Sequence, residues 1–105
     1  MDFKKIAKGL DLEEDEYMDL IRLFVETTEA NLQDLERSIK AQDSEAVFKM
    51  AHKIKGAALN LELADVASLA KEIESKGRSN QLTDTSPLFG ELKKTFVKIS
   101  ALATQ

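Results

Sequence analysis

The chain has 105 residues, of which 43% are hydrophobic and 32% are charged. A chain of this size and composition suits one small domain with a single core and argues against disorder. It contains no Cys and one His, which excludes disulfides and argues against a zinc site built from those residues. The net charge of -4 argues against a nucleic-acid-binding surface that covers the whole domain.

No apolar run approaches the roughly 20 residues that a membrane-spanning helix needs, so the sequence predicts no membrane partner. The N-terminal stretch MDFKKIAKGLDLEEDE turns acidic before any long apolar region, which argues against a secretory signal. We therefore expect a cytoplasmic protein.

Helical periodicity runs through the chain, and no stretch alternates as a strand does. A short opening helix is predicted over residues 3–8. A long helix is predicted over residues 12–41, with Asp11 as its N-cap and with Thr27 and Thr28 as a place where it bends or breaks. Its apolar positions are spaced by three and four residues and form one stripe, which consists of Tyr17, Leu20, Ile21, Phe24, Thr28, Leu32, Leu35 and Ile39.

Three further amphipathic helices are predicted, over residues 45–61, 63–76 and 86–103. Gly77 is predicted to follow the second of these as a left-handed C′ residue. The pair Ser86–Pro87 is predicted to start the third, with serine as the N-cap and proline at the first helical position.

Four long helices with short connections favour an all-α fold, namely an antiparallel up-down four-helix bundle with a short N-terminal helix. Neither an internal repeat nor a composition change divides the chain, so residues 1–105 are predicted to form one domain. Because one bundle can bury its own apolar stripes, we expect a monomer.

The only histidine, His52, lies in the stretch AHKIKGAALN of the second long helix. At about 100° per residue, His52 falls about 160° from Ile54, which marks the centre of the buried stripe. His52 is therefore predicted to face solvent, with Lys55 and Gly56 beside it on the next turn. Residues 46–61 contain three lysines and no acidic residue, so the surface around His52 is locally positive.

Four neighbours of His52 are candidates for docking a partner. Phe48 and Leu59 lie within about 60° of it on the helical wheel, and apolar residues around an exposed polar centre indicate an interaction surface. Lys49 and Lys53 would favour an anionic partner. The alternative interpretation is that the two apolar side chains pack against a neighbouring helix and that the lysines are merely solvated.

The glycine at position 56 suggests what His52 does, because glycine in a helix interior costs about 1 kcal/mol relative to alanine. It indicates that something approaches closely beside the histidine, although an ordinary surface histidine is the simpler alternative. General base catalysis needs a pocket and an orienting partner, for which this sequence offers no candidate. Nucleophilic attack on a phosphoryl group fits better, with Lys55 stabilising the negative charge. Because the sequence has no glycine-rich phosphate loop, the phosphoryl group must come from another protein.

The motif HKIKGAA resembles the HxxKG signature, followed by Ser or Ala, of histidine-containing phosphotransfer (HPt) domains. The following LADVASLAKEIESKG, which includes Leu69, Glu72 and Glu74, and the preceding LFVETTEANLQDLERSIKAQD are also similar to that family. The resemblance covers nearly the whole chain.

The resemblance implies a four-helix bundle in which His52 carries phosphate, usually on Nε2. Such domains pass phosphoryl groups between response-regulator receiver aspartates, or receive them from a sensor or hybrid histidine kinase. They have no kinase activity and need no cofactor, since the Mg²⁺ belongs to the receiver. On a bundle, Lys71 and Arg78 would also be able to face the site.

One departure from the family pattern concerns Glu62, which stands where the family usually has glycine. A left-handed glutamate would be strained by roughly 1 kcal/mol. We therefore expect a changed turn after the motif helix, with Asn60 helping to end the helix.

Two other functions remain open at this point. The first is a non-catalytic helical module that binds a receiver or kinase domain through a degenerate phosphosite, and it predicts binding that survives loss of His52. The second, a hydrolase or metalloenzyme that uses His52, lacks a second ligand or base at a suitable spacing.

Overall fold

The computed structural model describes residues 2–104, and within that range it contains five helices and no strand. The helices are α1 (Phe3–Gly9), α2 (Glu14–Lys40), α3 (Ser44–Asn60), α4 (Ala64–Arg78) and α5 (Thr85–Ala103). Each of α2 to α5 packs against two of the others in the cyclic order α2, α3, α4, α5, while α1 packs on α2. The predicted four-helix bundle with a short N-terminal helix is therefore confirmed.

The core consists mainly of the apolar stripes that the spacing of the sequence predicts, except that Leu20, which was expected in the α2 stripe, is 40% exposed. Its largest fully buried side chains come from all four long helices and include Tyr17, Ile21, Leu35, Ile54, Ile73, Leu92 and Ile99. None of the helices within residues 2–104 combines the length with the apolar character that a bilayer crossing requires.

The α2 helix continues through Thr27 and Thr28, so the break that was considered there does not occur. The hydroxyl of Thr27 donates to the carbonyl oxygen of Leu23, 3.0 Å away on the preceding turn. This bond satisfies the hydroxyl within the helix. Thr28 takes a place in the buried stripe, and its hydroxyl has no hydrogen-bond partner among the described residues.

Two predicted N-caps were wrong. The α2 helix begins at Glu14 after the N-cap Glu13, whose side chain forms a capping box with Glu16. Asp11 instead has a φ of 61° and lies in the turn after α1. The α5 helix begins at Thr85, ahead of the predicted Ser86.

The turn after α3 keeps a left-handed residue although that residue is Glu62, so the expected changed turn was wrong. Glu62 has a φ of 56°, and the N–H of Leu63 donates over 2.9 Å to the carbonyl oxygen of Ala58. This bond completes a Schellman motif, the helix ending that ordinarily has glycine at this position. Asp11, Gln42 and Asn80 occupy the same conformation after α1, α2 and α4, so the strain at Glu62 repeats a feature of the fold.

Tertiary contacts hold the Glu62 turn in place. The hydroxyl of Tyr17 donates over 2.6 Å to the carbonyl oxygen of Leu61, and Leu63 is buried in the core. Burial, together with the charge of Glu62, raises the pKa of Tyr17 to about 12, so its hydroxyl remains a donor at neutral pH. The left-handed backbone is therefore imposed by packing on both sides of the turn.

Gly77 does not end α4 as predicted, because the helix continues to Arg78 and Asn80 takes the left-handed position. Gly77 is buried instead against α3. A Cβ atom at this position would lie 2.7 Å from the backbone nitrogen of Phe48. The glycine therefore allows the close approach of α3 and α4.

We predict that Gly77→Ala destabilises the protein by about 1–3 kcal/mol, because the added methyl group forces two helix backbones apart. Urea unfolding monitored by circular dichroism measures the loss. The matched control is Gly90→Ala in α5, where the new Cβ meets no atom within 4 Å apart from its chain neighbours and the adjacent backbone of its own helix. That change should raise stability by about 0.5–1 kcal/mol, and equal effects at the two glycines would contradict the packing argument.

Candidate functional site

The motif helix α3 presents two different faces, as its sequence predicts. Ala51, Ile54 and Ala58 are fully buried and fix the helix in the bundle. The side chain of His52 is 61% exposed on the other side of α3. The structure therefore places the only imidazole of the chain where another molecule can reach it.

A buried carboxylate on α4 organises the site. Glu74 is 3% exposed, and its two oxygens contact two motif residues: Oε2 lies 2.5 Å from Nδ1 of His52 and Oε1 lies 2.7 Å from Nζ of Lys55. The carboxylate therefore joins the histidine and the lysine of the motif into one cluster across the α3–α4 contact.

Glu74 was not assigned a role from the sequence, although a signal was present there. It lies on α4 between buried residues of the apolar stripe, namely Ala70 and Ile73 before it and Gly77 after it. A glutamate within a buried stripe requires a charged or hydrogen-bonding partner. That signal marks Glu74 as unusual, but the identity of its partners depends on how α3 and α4 pack.

The contact with Glu74 determines which nitrogen of His52 is available. In the neutral ring the carboxylate accepts the Nδ1–H, which leaves the lone pair on Nε2. Within residues 2–104, Nε2 has no hydrogen-bond partner. In the neutral ring the geometry therefore leaves the lone pair on the outward nitrogen of an exposed imidazole.

Lys55 is less available than its position in the motif suggests. Its side chain is 23% exposed, and its ammonium group is paired with the nearly buried Glu74 carboxylate. One positive and one negative charge therefore balance beneath the histidine. The ion pair orients the cluster. Because the Glu74 carboxylate compensates part of the positive charge of Lys55, the site presents less positive charge to solvent than a free lysine would.

Gly56 leaves an open space beside the histidine. Apart from its chain neighbours and the adjacent backbone of α3, no atom of the described chain lies within 4 Å of a Cβ built at this position, so internal packing does not require the glycine. Leu59, two turns along the helix from His52, is 58% exposed, and Lys53 is exposed as well. Together these residues form an open surface around His52, while Lys49 is paired with Glu45 at 3.0 Å.

Phe48, the fourth docking candidate, is engaged within the molecule. Its half-buried ring is stacked on the imidazole of His52, with centroids 6.0 Å apart and an interplanar angle of 22°. The guanidinium carbon of Arg78 lies 5.1 Å from the Phe48 centroid. Arg78 thus reaches the edge of the site, whereas Lys71 makes no ion pair or hydrogen bond with His52, Lys55 or Glu74.

The model of one protein family matches residues 19–102 of the chain, and it is described as the Hpt domain. This stretch includes the histidine cluster and most of the four long helices. The chain belongs to the Hpt domain family.

A solved Hpt structure extends the likeness to the whole fold. The crystal structure of histidine-containing phosphotransfer protein B from Pseudomonas aeruginosa PAO1 is 28% identical to this chain, with a TM-score of 0.86. The match covers 100% of this chain and 91% of that one. Among the curated proteins, none matches this chain.

The surroundings of Glu74 in this Hpt domain act on its ionisation in opposite directions. Burial raises the pKa of the carboxyl group. The hydrogen bonds from Lys55 and His52, together with the charges of these two residues, lower the pKa by more than burial raises it. The net pKa lies below the ordinary value of 4.5. Glu74 is therefore ionised at neutral pH and available as an acceptor.

We predict that Glu74 makes the Hpt domain sensitive to acid. Its folded-state pKa lies below the ordinary 4.5, so its contribution to stability is present above that pH and is lost as the pH falls through the folded value. Urea unfolding between pH 7 and pH 3 should show a steeper loss of stability for the wild type than for Glu74→Gln. Parallel curves for the two proteins would contradict the prediction.

Proposed function

We propose that this Hpt domain is a phosphotransfer intermediate of two-component signalling, in which Nε2 of His52 accepts and returns the phosphoryl group. Membership of the family supports the general role. The observation that carries the assignment to this nitrogen is the hydrogen bond between Nδ1 and Glu74, which leaves Nε2 outward with its lone pair.

The transfer step follows from that arrangement. The Nε2 lone pair attacks the phosphorus of an aspartyl phosphate, the Nε2–P bond forms, and the acyl P–O bond breaks to release the aspartate carboxylate. Nδ1 keeps its proton, so positive charge develops on the ring. The Glu74 carboxylate, 2.5 Å from Nδ1, stabilises that charge. The reverse step returns the phosphoryl group to a second aspartate.

Lys55 has two tasks in this proposal. Its ammonium group stabilises the buried carboxylate of Glu74 at 2.7 Å, and it supplies positive charge near the arriving phosphoryl group. Because the pair is already formed before transfer, the cluster needs little rearrangement.

The donor and the acceptor are proposed to be receiver domains, with a sensor or hybrid histidine kinase as the alternative donor. The sequence contains no nucleotide-binding loop, which supports a role as a carrier. The Mg²⁺ of the reaction would belong to the receiver, and no group of three or more metal-ligating side chains occurs within residues 2–104. The open space beside Gly56 supports close approach of the partner's active site.

We predict that His52→Gln abolishes labelling by a phosphorylated receiver domain. The wild type should acquire phosphate that is labile in acid and stable in alkali, since a phosphorus–nitrogen bond has this behaviour. Radiolabelled transfer followed by gel electrophoresis measures it. Equal labelling of the variant would rule out His52, and receiver binding without labelling of the wild type would favour the non-catalytic interaction module.

We predict that Gly56→Gln weakens receiver docking by at least tenfold in Kd, because a long side chain fills the space that the partner must enter. Titration calorimetry with a receiver domain measures the change. Gly90→Gln on α5 is the matched control, since Gly90 is also a helical glycine with open space around its Cβ. Docking that is unaffected by Gly56→Gln, or weakened equally by both variants, would contradict the clearance argument.

A further inference from the structure

The hydrogen bond to Glu74 does not by itself determine the orientation of the His52 ring. It holds Nδ1 at 2.5 Å from the carboxylate, but the ring can still rotate about the Cβ–Cγ bond within the range that the hydrogen bond tolerates, because acceptor geometry is broad. The His52 side chain is 61% exposed, so few neighbours oppose that rotation. Productive attack needs the Nε2 lone pair to be aligned with phosphorus, so a second restraint on the ring would increase the rate.

Phe48 is placed to provide this restraint. It precedes His52 by four residues, so the two side chains lie on the same face of α3. Their rings are nearly parallel, with an interplanar angle of 22° and centroids 6.0 Å apart. A stack on one face of the imidazole opposes rotation of the ring plane, which is the motion that the Glu74 hydrogen bond permits.

The position of Phe48 is itself restrained by α4. Gly77 allows the α4 backbone to lie so close to Phe48 that a Cβ atom there would be 2.7 Å from the Phe48 backbone nitrogen. The guanidinium group of Arg78 lies over the ring, 5.1 Å from its centroid. Within residues 2–104, Arg78 has no carboxylate within 4 Å, so this cation–π contact is the interaction that orients its guanidinium group.

We propose that Phe48 is a positioning residue for phosphoryl transfer and that Arg78 acts through it. Phe48 holds the ring plane of His52, and Glu74 holds the position of Nδ1. This inference rests on His52 being the phosphorylated residue. It replaces the expectation that Phe48 serves to dock the partner.

The test uses two phosphodonors that differ in their need for docking. The first is a phosphorylated receiver domain, and the second is phosphoramidate, a small molecule that phosphorylates imidazole by exchange of its P–N bond for the Nε2–P bond with release of ammonia. Phe48→Leu should slow transfer from both donors by the same factor, roughly three- to tenfold. With the receiver, this loss should appear in kcat and leave KM unchanged.

Phe48→Tyr is the control, since it keeps the aromatic ring and should retain wild-type rates with both donors. Upfield ring-current shifts of the His52 ring protons, measured by NMR, should be present in the wild type and in Phe48→Tyr and absent from Phe48→Leu. A Tyr variant as slow as the Leu variant would overturn the proposal, because the aromatic stack would then not be the cause.

Arg78→Gln supplies a second variant on an exposed side chain, where a folding defect is not expected. It should cause a smaller slowing of the same kind, and the double variant with Phe48→Leu should be no slower than Phe48→Leu alone. Additive effects of the two changes would show that Arg78 acts independently of Phe48 and would overturn that part of the proposal.

The outcomes separate positioning from docking. A raised KM for the receiver with an unchanged phosphoramidate rate would assign Phe48 to docking and overturn the proposal, as would rates unchanged with both donors. If the receiver fails to label even the wild type, the proposed function fails. The phosphoramidate reaction of His52 then still decides whether Phe48 positions the ring.

Discussion

The site depends on a buried carboxylate that has to be paired. Glu74 lies in the apolar contact between α3 and α4, and both of its oxygens are bonded, one to Nδ1 of His52 and the other to Nζ of Lys55. Removing one partner of a buried charge typically costs on the order of 3–5 kcal/mol. The same requirement that stabilises the carboxylate therefore orders the histidine and lysine of the motif, so structural and functional demands coincide in one group.

The close approach of two helices makes this pairing possible. Gly77 brings the α4 backbone against Phe48 on α3, and Glu74 and Arg78 lie on the same stretch of α4. Glu74 and Arg78 then reach across to His52 and to the ring of Phe48. A larger residue at position 77 would separate the helices and affect both contacts at once, so the packing of α3 on α4 and the orientation of the imidazole are linked.

The two glycines of this region show how differently the same residue type is used. Gly56 faces open space, and its value is proposed to lie in the approach of a partner. Gly77 is buried and faces another backbone. Glu62 shows the converse, because a glutamate holds a left-handed turn that glycine would hold without strain. The buried Leu63 and the hydrogen bond from Tyr17 to Leu61 keep the chain in that turn.

The sequence by itself determined the bundle, most of the buried stripes and the outward direction of His52. These features follow from helical periodicity, which is local and can be calculated from residue spacing. The sequence also carried the family resemblance, because the motif HKIKGAA is one contiguous stretch. The helix ends were less predictable, because capping residues such as Asp11 and Gly77 suit more than one role.

Only the tertiary structure decided that Glu74 bridges His52 and Lys55, that Phe48 stacks on the imidazole, and that Glu62 keeps the left-handed turn. Along the chain, Glu74 lies 22 positions from His52 and 19 positions from Lys55. Contacts of this kind depend on the rotation and separation of α3 and α4, which the periodicity of either helix alone leaves undetermined. The sequence places Glu74 among apolar residues of α4, and the packing of two helices determined its partners.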